Sequence, residues 1–365
     1  MKQYRILGLM SGSSLDGLDL AMCHFSMDNG EVKNWELQQA ATLPFSEIWV
    51  SRLAKLPRQS AMVYAQTHTY FGYYLGELVN EFIAEIGIRP DYIASHGHTI
   101  FHNPDKKFTS QIGDGAAIAA TTNIPTISNF RAQDIALNGE GAPVAPIVDK
   151  LLFSEYDFFL NLGGITNLSC NARGKYIAFD IGGCNQILNA LVNEIDLEYD
   201  DDGQIAATGE LNEGLFNQLN KLPYFHQPYP KSLSNQWVVD NLIQTYFETE
   251  ESLANLLHTS VIQTAFQTAK SIQQVLEKEN LAPKKRKILV TGGGAMNGFL
   301  IKMLKEKCGK VTDLEWIIPT PEIIQFKEAI LMALMGTLRV EEIPNVMKTV
   351  TGASRDSIGG MISLP

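Results

Sequence analysis

The chain has 365 residues, 45% hydrophobic and 19% charged, with a formal net charge of −11. That length accommodates two domains and a sizeable core, and the acidic balance excludes a broad grip on a nucleic-acid backbone while leaving nucleotide binding through backbone N–H groups and Mg²⁺ open. Cys23, Cys170, Cys184 and Cys308 form no C-x-x-C pair and no run reaches about 18 apolar residues, so the reading is cytoplasmic, without zinc signature or membrane span.

Residues 4–10 and 18–25 are runs of β-formers on either side of a Gly/Ser/Asp cluster, which predicts a hairpin. From 60 to 87 the apolar spacing is helical and ends at glycine. "PDYIASHG" (90–97) reads as a buried strand, and "GDGAAIAATTNIPTISNF" (113–130) as a short helix followed by a strand. The device then begins again. "YDFFLNLGGITNLSC" (156–170) is strand, glycine turn, strand, and "KYIAFDIGGCN" (175–185) runs a strand into a second glycine turn. Helical patterns follow at 185–195, 236–248 and 251–279, then strand, glycine turn and helix at 286–300. A last helix spans 321–336, with Gly336 placed as its C-cap. The runs "KEKCGK" and "PKKRK" (283–287) read as solvated surface. Two strand–turn–strand units about 150 residues apart point to two related α/β halves.

Glycine turns at 8–17, 163–164 and 292–294 each follow a strand. Glycine permits positive φ and close approach to the backbone, and successive N–H groups at such turns bind anions. One such turn is ordinary punctuation; three after strands favour a phosphate and nucleotide site. Asp180, at a strand end in "FDIGGCN", is placed as a general base or metal ligand, or as a cap for the following helix. Asp16 and Asp19 could hold Mg²⁺ through water or make Asx turns, and Ser11, Ser13 and Ser14 could donate to phosphate. His96 and His98 in "SHGHTIFHNP" read as polar lining of a substrate pocket, since no carboxylate or cysteine completes a metal spacing. Arg131 could clamp an anion bidentately or form a structural pair with Asp134.

"GLMSGSSLDGLD", "SHGHTIFHNP", "QIGDGAAIAA", "FRAQDIAL", "GEGAPVAP", "NLGGITNLS", "VTGGGAMN" and "TGAS" occur in this order from Leu7 onward. In that order and spacing the chain resembles the anhydro-N-acetylmuramic acid kinase family. The resemblance implies an actin/hexokinase-like (ribonuclease H-like) two-domain α/β fold with an ATP cleft between the lobes. It implies lobes of residues 1–127 plus 336–365 and 128–335. It also implies ATP and Mg²⁺ as cofactors, with an anhydrosugar as substrate. Water opens the 1,6-anhydro bridge and O6 is phosphorylated, giving N-acetylmuramic acid 6-phosphate in cell-wall recycling.

Carried over by position, Gly12, Ser13, Ser14, Leu15, Asp16, Gly17, Leu18 and Asp19 correspond to the phosphate loop. Gly163 and Gly164 form a further nucleotide turn, while Gly292, Gly293, Gly294 and Asn297 lie on the adenosine side. Asp180 corresponds to the catalytic aspartate, with Glu328 assisting, and His98, Arg131 and Asn185 are expected to orient the sugar. No metal ligand set is assigned, no membrane or nucleic-acid partner is expected, and a homodimer is left open.

The family's D-T-G-P-G-N is here "DIGGCN", and its K-S-T-G-R-E is "KSLSNQ", keeping Lys231 and Ser232. Asn129 replaces the aspartate of D-F-R. These departures leave two alternatives. One is a kinase for another 1,6-anhydrosugar, such as levoglucosan; the other is a nucleotide-binding module on the same fold without sugar chemistry.

Overall fold

The computed structural model describes residues 1–12, 15–282 and 284–365. In chain order the strands are β1 (Lys2–Ser11), β2 (Gly17–Asp28), β3 (Glu31–Pro44), β4 (Tyr92–Asn103), β5 (Phe108–Ile112) and β6 (Thr126–Ser128). They continue as β7 (Phe158–Leu162), β8 (Ile165–Ala172), β9 (Lys175–Gly183), β10 (Arg286–Thr291), β11 (Leu314–Ile317) and β12 (Met361–Ser363).

The chain divides into two compact units, Met1–Phe153 with Gln325–Pro365, and Ser154–Ile324. These crossings differ from those expected near 128 and 335. Residues 129–153 stay with the first unit because the helix Pro146–Leu152 is followed by Phe153, whose ring meets the edge of Trp35 on β3 at 5.6 Å. The Trp35 indole N–H also donates to the Leu152 carbonyl at 3.3 Å.

In the first unit the sheet order is β12-β6-β4-β1-β2-β3, with β5 hydrogen-bonded to β4. β1, β2 and β3 are antiparallel neighbours, and β4 and β6 continue parallel to β1. In the second unit the order is β11-β10-β7-β8-β9. There β7, β8 and β9 are antiparallel, and β10 and β11 continue parallel to β7. Each unit therefore carries an antiparallel three-stranded meander joined along its first strand to parallel strands. This is the ribonuclease H-like arrangement, occurring once in each unit.

The helix Ala61–Ile86 shows how local signals and packing combine. The Ser60 hydroxyl accepts from the Val63 N–H, and Gly87 ends the helix in the left-handed conformation. Phe71, Leu75, Leu78, Val79 and Phe82 form its buried face, each contributing about 1.5–3 kcal/mol by leaving water. A Cβ at Gly72 would stand 2.6 Å from the Asp114 carbonyl oxygen, and one at Gly76 2.6 Å from Thr121. Both glycines let the helix Gly115–Thr122 pack close.

Two expectations are corrected. Gly336 does not end a helix; it lies inside one running Pro321–Val340. A Cβ there would be 2.7 Å from the Ala94 Cβ on β4, so the glycine serves helix–sheet contact. The run 283–287 is solvated only in part. Arg286 is 4% exposed, donates to the Ala282 carbonyl at 2.6 Å and lies 3.5 Å from Asp157. The site residues Ser13 and Ser14 lie outside the described residues, as does Pro283.

Candidate active site

In the first unit, β1 and β2 are joined by residues 12–16. Among the described residues of this connection, Leu15 is left-handed (φ 61°) and Gly12 is not. The Leu15 N–H approaches the Gly12 carbonyl at 3.5 Å, and the Asp16 carboxylate accepts from the Gly17 N–H at 3.0 Å. Gly17 is needed for proximity, because a Cβ would stand 2.5 Å from the Leu43 carbonyl oxygen on β3. Leu18 is buried in the core. Its neighbour Asp19 faces the other side of the strand and accepts from the Thr42 hydroxyl at 2.5 Å. Desolvation raises the Asp19 carboxyl pKa and Asp16 adds to the rise, against the Thr42 hydrogen bond.

His98 is buried on β4, with Nδ1 3.0 Å from the Ser11 hydroxyl at the end of β1. Its pKa is lowered by burial, so the ring is a neutral tie between these parallel strands. The neighbouring His96 is pushed down to about 3, first by burial and then by the charge of Arg131. Among the described residues there is no cluster of three or more groups fit to hold a metal.

Arg131 does not pair with Asp134. That carboxylate is fully buried and accepts instead from the Gly141 N–H and the Thr351 hydroxyl, both at 2.8 Å. It ties the Gly/Pro-rich loop to "TGAS". Arg131 is within electrostatic reach of Glu328, and its Nε is buried with no hydrogen-bond partner among the described residues. Glu328 shows surface to water, yet the atoms crowded around it raise its carboxyl pKa; Arg131 lowers it and Asp19 raises it. The fold thus gathers Asp19, Arg131 and Glu328 from three distant stretches of chain.

The second unit gathers its own set. Gly163 and Gly164 join β7 to β8, and their carbonyls accept from the N–H groups of Asn185, Cys184 and Gln186 at 3.1, 2.8 and 3.3 Å. The turn therefore holds the start of the helix Asn185–Val192. The Asn185 amide donates to the Leu162 carbonyl at 2.9 Å, and Gly294 packs against the same two residues. Gly292 has φ 82°, and a Cβ there would be 2.6 Å from the Leu162 backbone. A Cβ on Gly293 would only reach the Asn185 amide nitrogen, at 3.4 Å. Asn297 spends its side-chain oxygen capping the helix Gly298–Gly309 through the Leu300 N–H at 2.9 Å.

Asp180 is half-buried near the end of β9. Its carboxylate accepts from the Leu233 N–H at 2.8 Å. Its own N–H donates to the Lys231 carbonyl at 3.0 Å, and its carbonyl accepts from the Tyr224 hydroxyl at 2.8 Å. Desolvation raises its pKa, opposed by the Leu233 N–H. Ile181 and Cys184 are buried, as is Gly183, where a Cβ would crowd Ile187 at 2.7 Å. These departures from the family pattern fall among packed residues.

Residue-by-residue reading of the sequence did not single out Leu233, Tyr224 or Thr42. A backbone donor such as the Leu233 N–H has no side-chain signature. Thr42 would have been found had β3 been recognised, because it is the cross-strand partner of Asp19.

A doubled ribonuclease H-like topology with acids near strand ends in both units is that of the actin/hexokinase-like kinases. Residues 4–365 match the sequence profile described as anhydro-N-acetylmuramic acid kinase. Proteins of that name from Hydrogenovibrio crunogenus and Coxiella burnetii are 30% and 34% identical, covering 98% and 99% of this chain and 98% of each relative. The chain belongs to the anhydro-N-acetylmuramic acid kinase family. Among solved structures, the activator of the 2-hydroxyisocaproyl-CoA dehydratase from Clostridium difficile aligns over 93% of this chain and 96% of its own, at 12% identity and TM-score 0.42. Schistosoma mansoni hexokinase aligns over 91% and 85%, at 11% identity and TM-score 0.37.

Proposed function

We propose that this chain is an ATP- and Mg²⁺-dependent cytoplasmic kinase that hydrolyses the 1,6-anhydro bond of 1,6-anhydro-N-acetylmuramic acid and phosphorylates O6. The product is N-acetylmuramic acid 6-phosphate, and the pathway is cell-wall recycling. Family membership over residues 4–365 supports the reading. The observation that carries it onto this chain is Asp180, a desolvated carboxylate held by one backbone N–H.

The residues present fit a nucleotide. Neither Gly163 nor Gly164 has a positive φ, and at Gly164 no close protein contact demands glycine, since a Cβ would meet nothing nearer than 3.7 Å; at Gly163 it would meet the Asn161 amide at 3.2 Å. Glycine there leaves the backbone bare for a ligand. Taken unit by unit, residues 12–19 of the first would meet phosphate, with Asp16 and Asp19 toward the hard cation through water, and in the second Gly163–Gly164 would meet phosphate and Gly292–Gly294 the adenosine side. When bound, ATP with Mg²⁺ supplies the phosphoryl group and neutralises charge on it.

Asp180 takes a proton from water as the water oxygen bonds to C1; the C1–O6 bond breaks, and O6 leaves with that electron pair to bond to the phosphoryl group that ATP would supply, releasing ADP. Its raised pKa brings the base nearer neutrality, where the proton transfer is better matched. Arg131 and Glu328 orient the sugar, Arg131 as donor to an oxygen and Glu328 as acceptor from a hydroxyl. His98 stiffens the first unit's strands through Ser11, and Asn185 stiffens the second unit's glycine turn through Leu162.

The test is ADP release by purified protein with ATP, Mg²⁺ and anhydro-N-acetylmuramic acid, levoglucosan or glucose. Turnover confined to the first sugar is expected. Turnover with levoglucosan alone moves the assignment to another anhydrosugar. ATP binding without turnover on any of them supports the non-catalytic module.

A further inference from the structure

The stretch KSLSNQ (231–236) departs from the family's K-S-T-G-R-E, and the segment 224–237 that contains it makes three hydrogen bonds to Asp180. Asp180 has three polar backbone and side-chain handles, and the segment engages each one. The Lys231 carbonyl accepts its N–H at 3.0 Å, the Tyr224 hydroxyl donates to its carbonyl at 2.8 Å, and the Leu233 N–H donates to its carboxylate at 2.8 Å. We infer that residues 224–237 form a brace that aims the Asp180 carboxylate, with Tyr224 as a positioning residue and the Leu233 backbone N–H as the orienting donor. This rests on the reading of Asp180 as the base.

The brace is itself fixed. The Tyr224 ring is 5% exposed, packs against Trp237 at 5.1 Å between centroids and against Phe225 at 5.8 Å. The Lys231 ammonium lies 4.4 Å over the Tyr224 ring and donates to the Tyr224 carbonyl at 3.2 Å. Lys270, from the helix Leu253–Lys278, donates to the next carbonyl, that of Phe225, at 3.1 Å. Ser234 caps the short helix Asn235–Val238 through the Trp237 N–H at 3.1 Å. A ring packed against Trp237 and Phe225 and covered by the Lys231 ammonium, with its own carbonyl and the next one bonded, can hold its hydroxyl still, and through it the end of β9.

This arrangement also accounts for the altered sequence. An N–H donor survives any side-chain replacement except proline. The change to Leu233 therefore keeps the contact that orients the base. Tyr224 feels the charge of Asp180, and Lys231, over the Tyr224 ring, feels that of Lys270. Lys231 is pushed down to about 8 by burial and then by Lys270.

The test compares wild type, Tyr224→Phe, Leu233→Pro and Asp180→Asn by ADP release with the accepted anhydrosugar, over a pH series, with thermal unfolding as the fold check. Tyr224→Phe keeps the ring and deletes one hydrogen bond. It is expected to lower kcat about tenfold with sugar KM within about twofold, because only the aim of the base changes. A loosened Leu233 N–H stabilises the carboxylate less, so the acid limb moves to higher pH. Leu233→Pro is expected to move that limb the same way. Wild-type kcat and limb in a folded Tyr224→Phe overturn the brace, and so does a lowered kcat with the limb unmoved. Normal turnover by Asp180→Asn overturns the base assignment instead, and the two failures are therefore distinct.

Discussion

The two units share one strand order, but their first turns use it differently. Between β1 and β2 the chain spends residues 12–16, with a left-handed Leu15, an acid at 16 and Asp19 just beyond. Between β7 and β8 it spends only Gly163 and Gly164, whose carbonyls receive the N–H groups that open the next helix. The acids of the first unit gather with Arg131 and Glu328, whereas the acid of the second, Asp180, is clasped by backbone and a phenol. A common topology thus sets where turns fall and leaves their chemistry to local residues. The first unit concentrates charge, and the second concentrates hydrogen bonds on one residue, two on the Asp180 backbone and one on its carboxylate.

The sharpest way to break this contrast is Asp180→Asn. Loss of about 10³-fold in kcat is expected, with unchanged thermal unfolding, since a positioned base contributes about 10²–10⁴. Activity within tenfold of wild type would remove the second unit's role. Next comes Arg131→Met, which takes from Glu328 the cation that lowers its pKa. A fall of about 10–100-fold in kcat/KM for the sugar is expected, as for losing a hydrogen bond to a charged group. An unchanged value would reduce the first unit's charge cluster to a structural feature.

A third test sharpens the comparison by pH. Asp180 is raised above the ordinary aspartate range, so it is protonated and idle below its pKa and becomes a base as pH rises through it. The kcat/KM profile should therefore climb on its acid side above about pH 4, the ordinary value. A limb at or below that value contradicts the desolvated base. The smallest effects separate glycines within the second unit. Gly292→Ala should cost about 1–3 kcal/mol in chemical denaturation, because its backbone conformation is one that side chains resist. Gly164→Ala, where a Cβ would meet nothing nearer than 3.7 Å, should change stability by less than about 0.5 kcal/mol while weakening nucleotide binding by calorimetry. Equal stability losses would mean that the bare turn is only structural.

Much of the fold is legible in the residues, and the reasons are local. Ser60 and Gly87 mark both ends of the helix Ala61–Ile86, and the hairpins around 12–16 and 163–164 follow from β-formers flanking small residues. β3 was not legible. Its sequence, EVKNWELQQAATLP, mixes polar and apolar residues without alternation, and its largely unburied side chains leave no hydrophobic pattern to read. Gly336 misled because a helix-ending glycine and a helix-packing glycine look alike until the strand beneath is known.

For the candidate site, residue types and turns singled out Asp180 and the glycines as candidates, because a general base calls for a carboxylate and close approach for an absent side chain. The sequence by itself also determined the family, through ordered motifs across the chain, and the capped helices, through short-range hydrogen bonding. Tertiary structure alone decided that Asp134 binds Thr351 rather than Arg131, that Glu328 comes within electrostatic reach of Arg131, and that Leu233 and Tyr224 hold Asp180. Those contacts join residues 44 to 217 positions apart or use backbone groups common to nearly every residue. Neither property leaves a trace in a local stretch of sequence; each exists only once the sheets have brought the strand ends together.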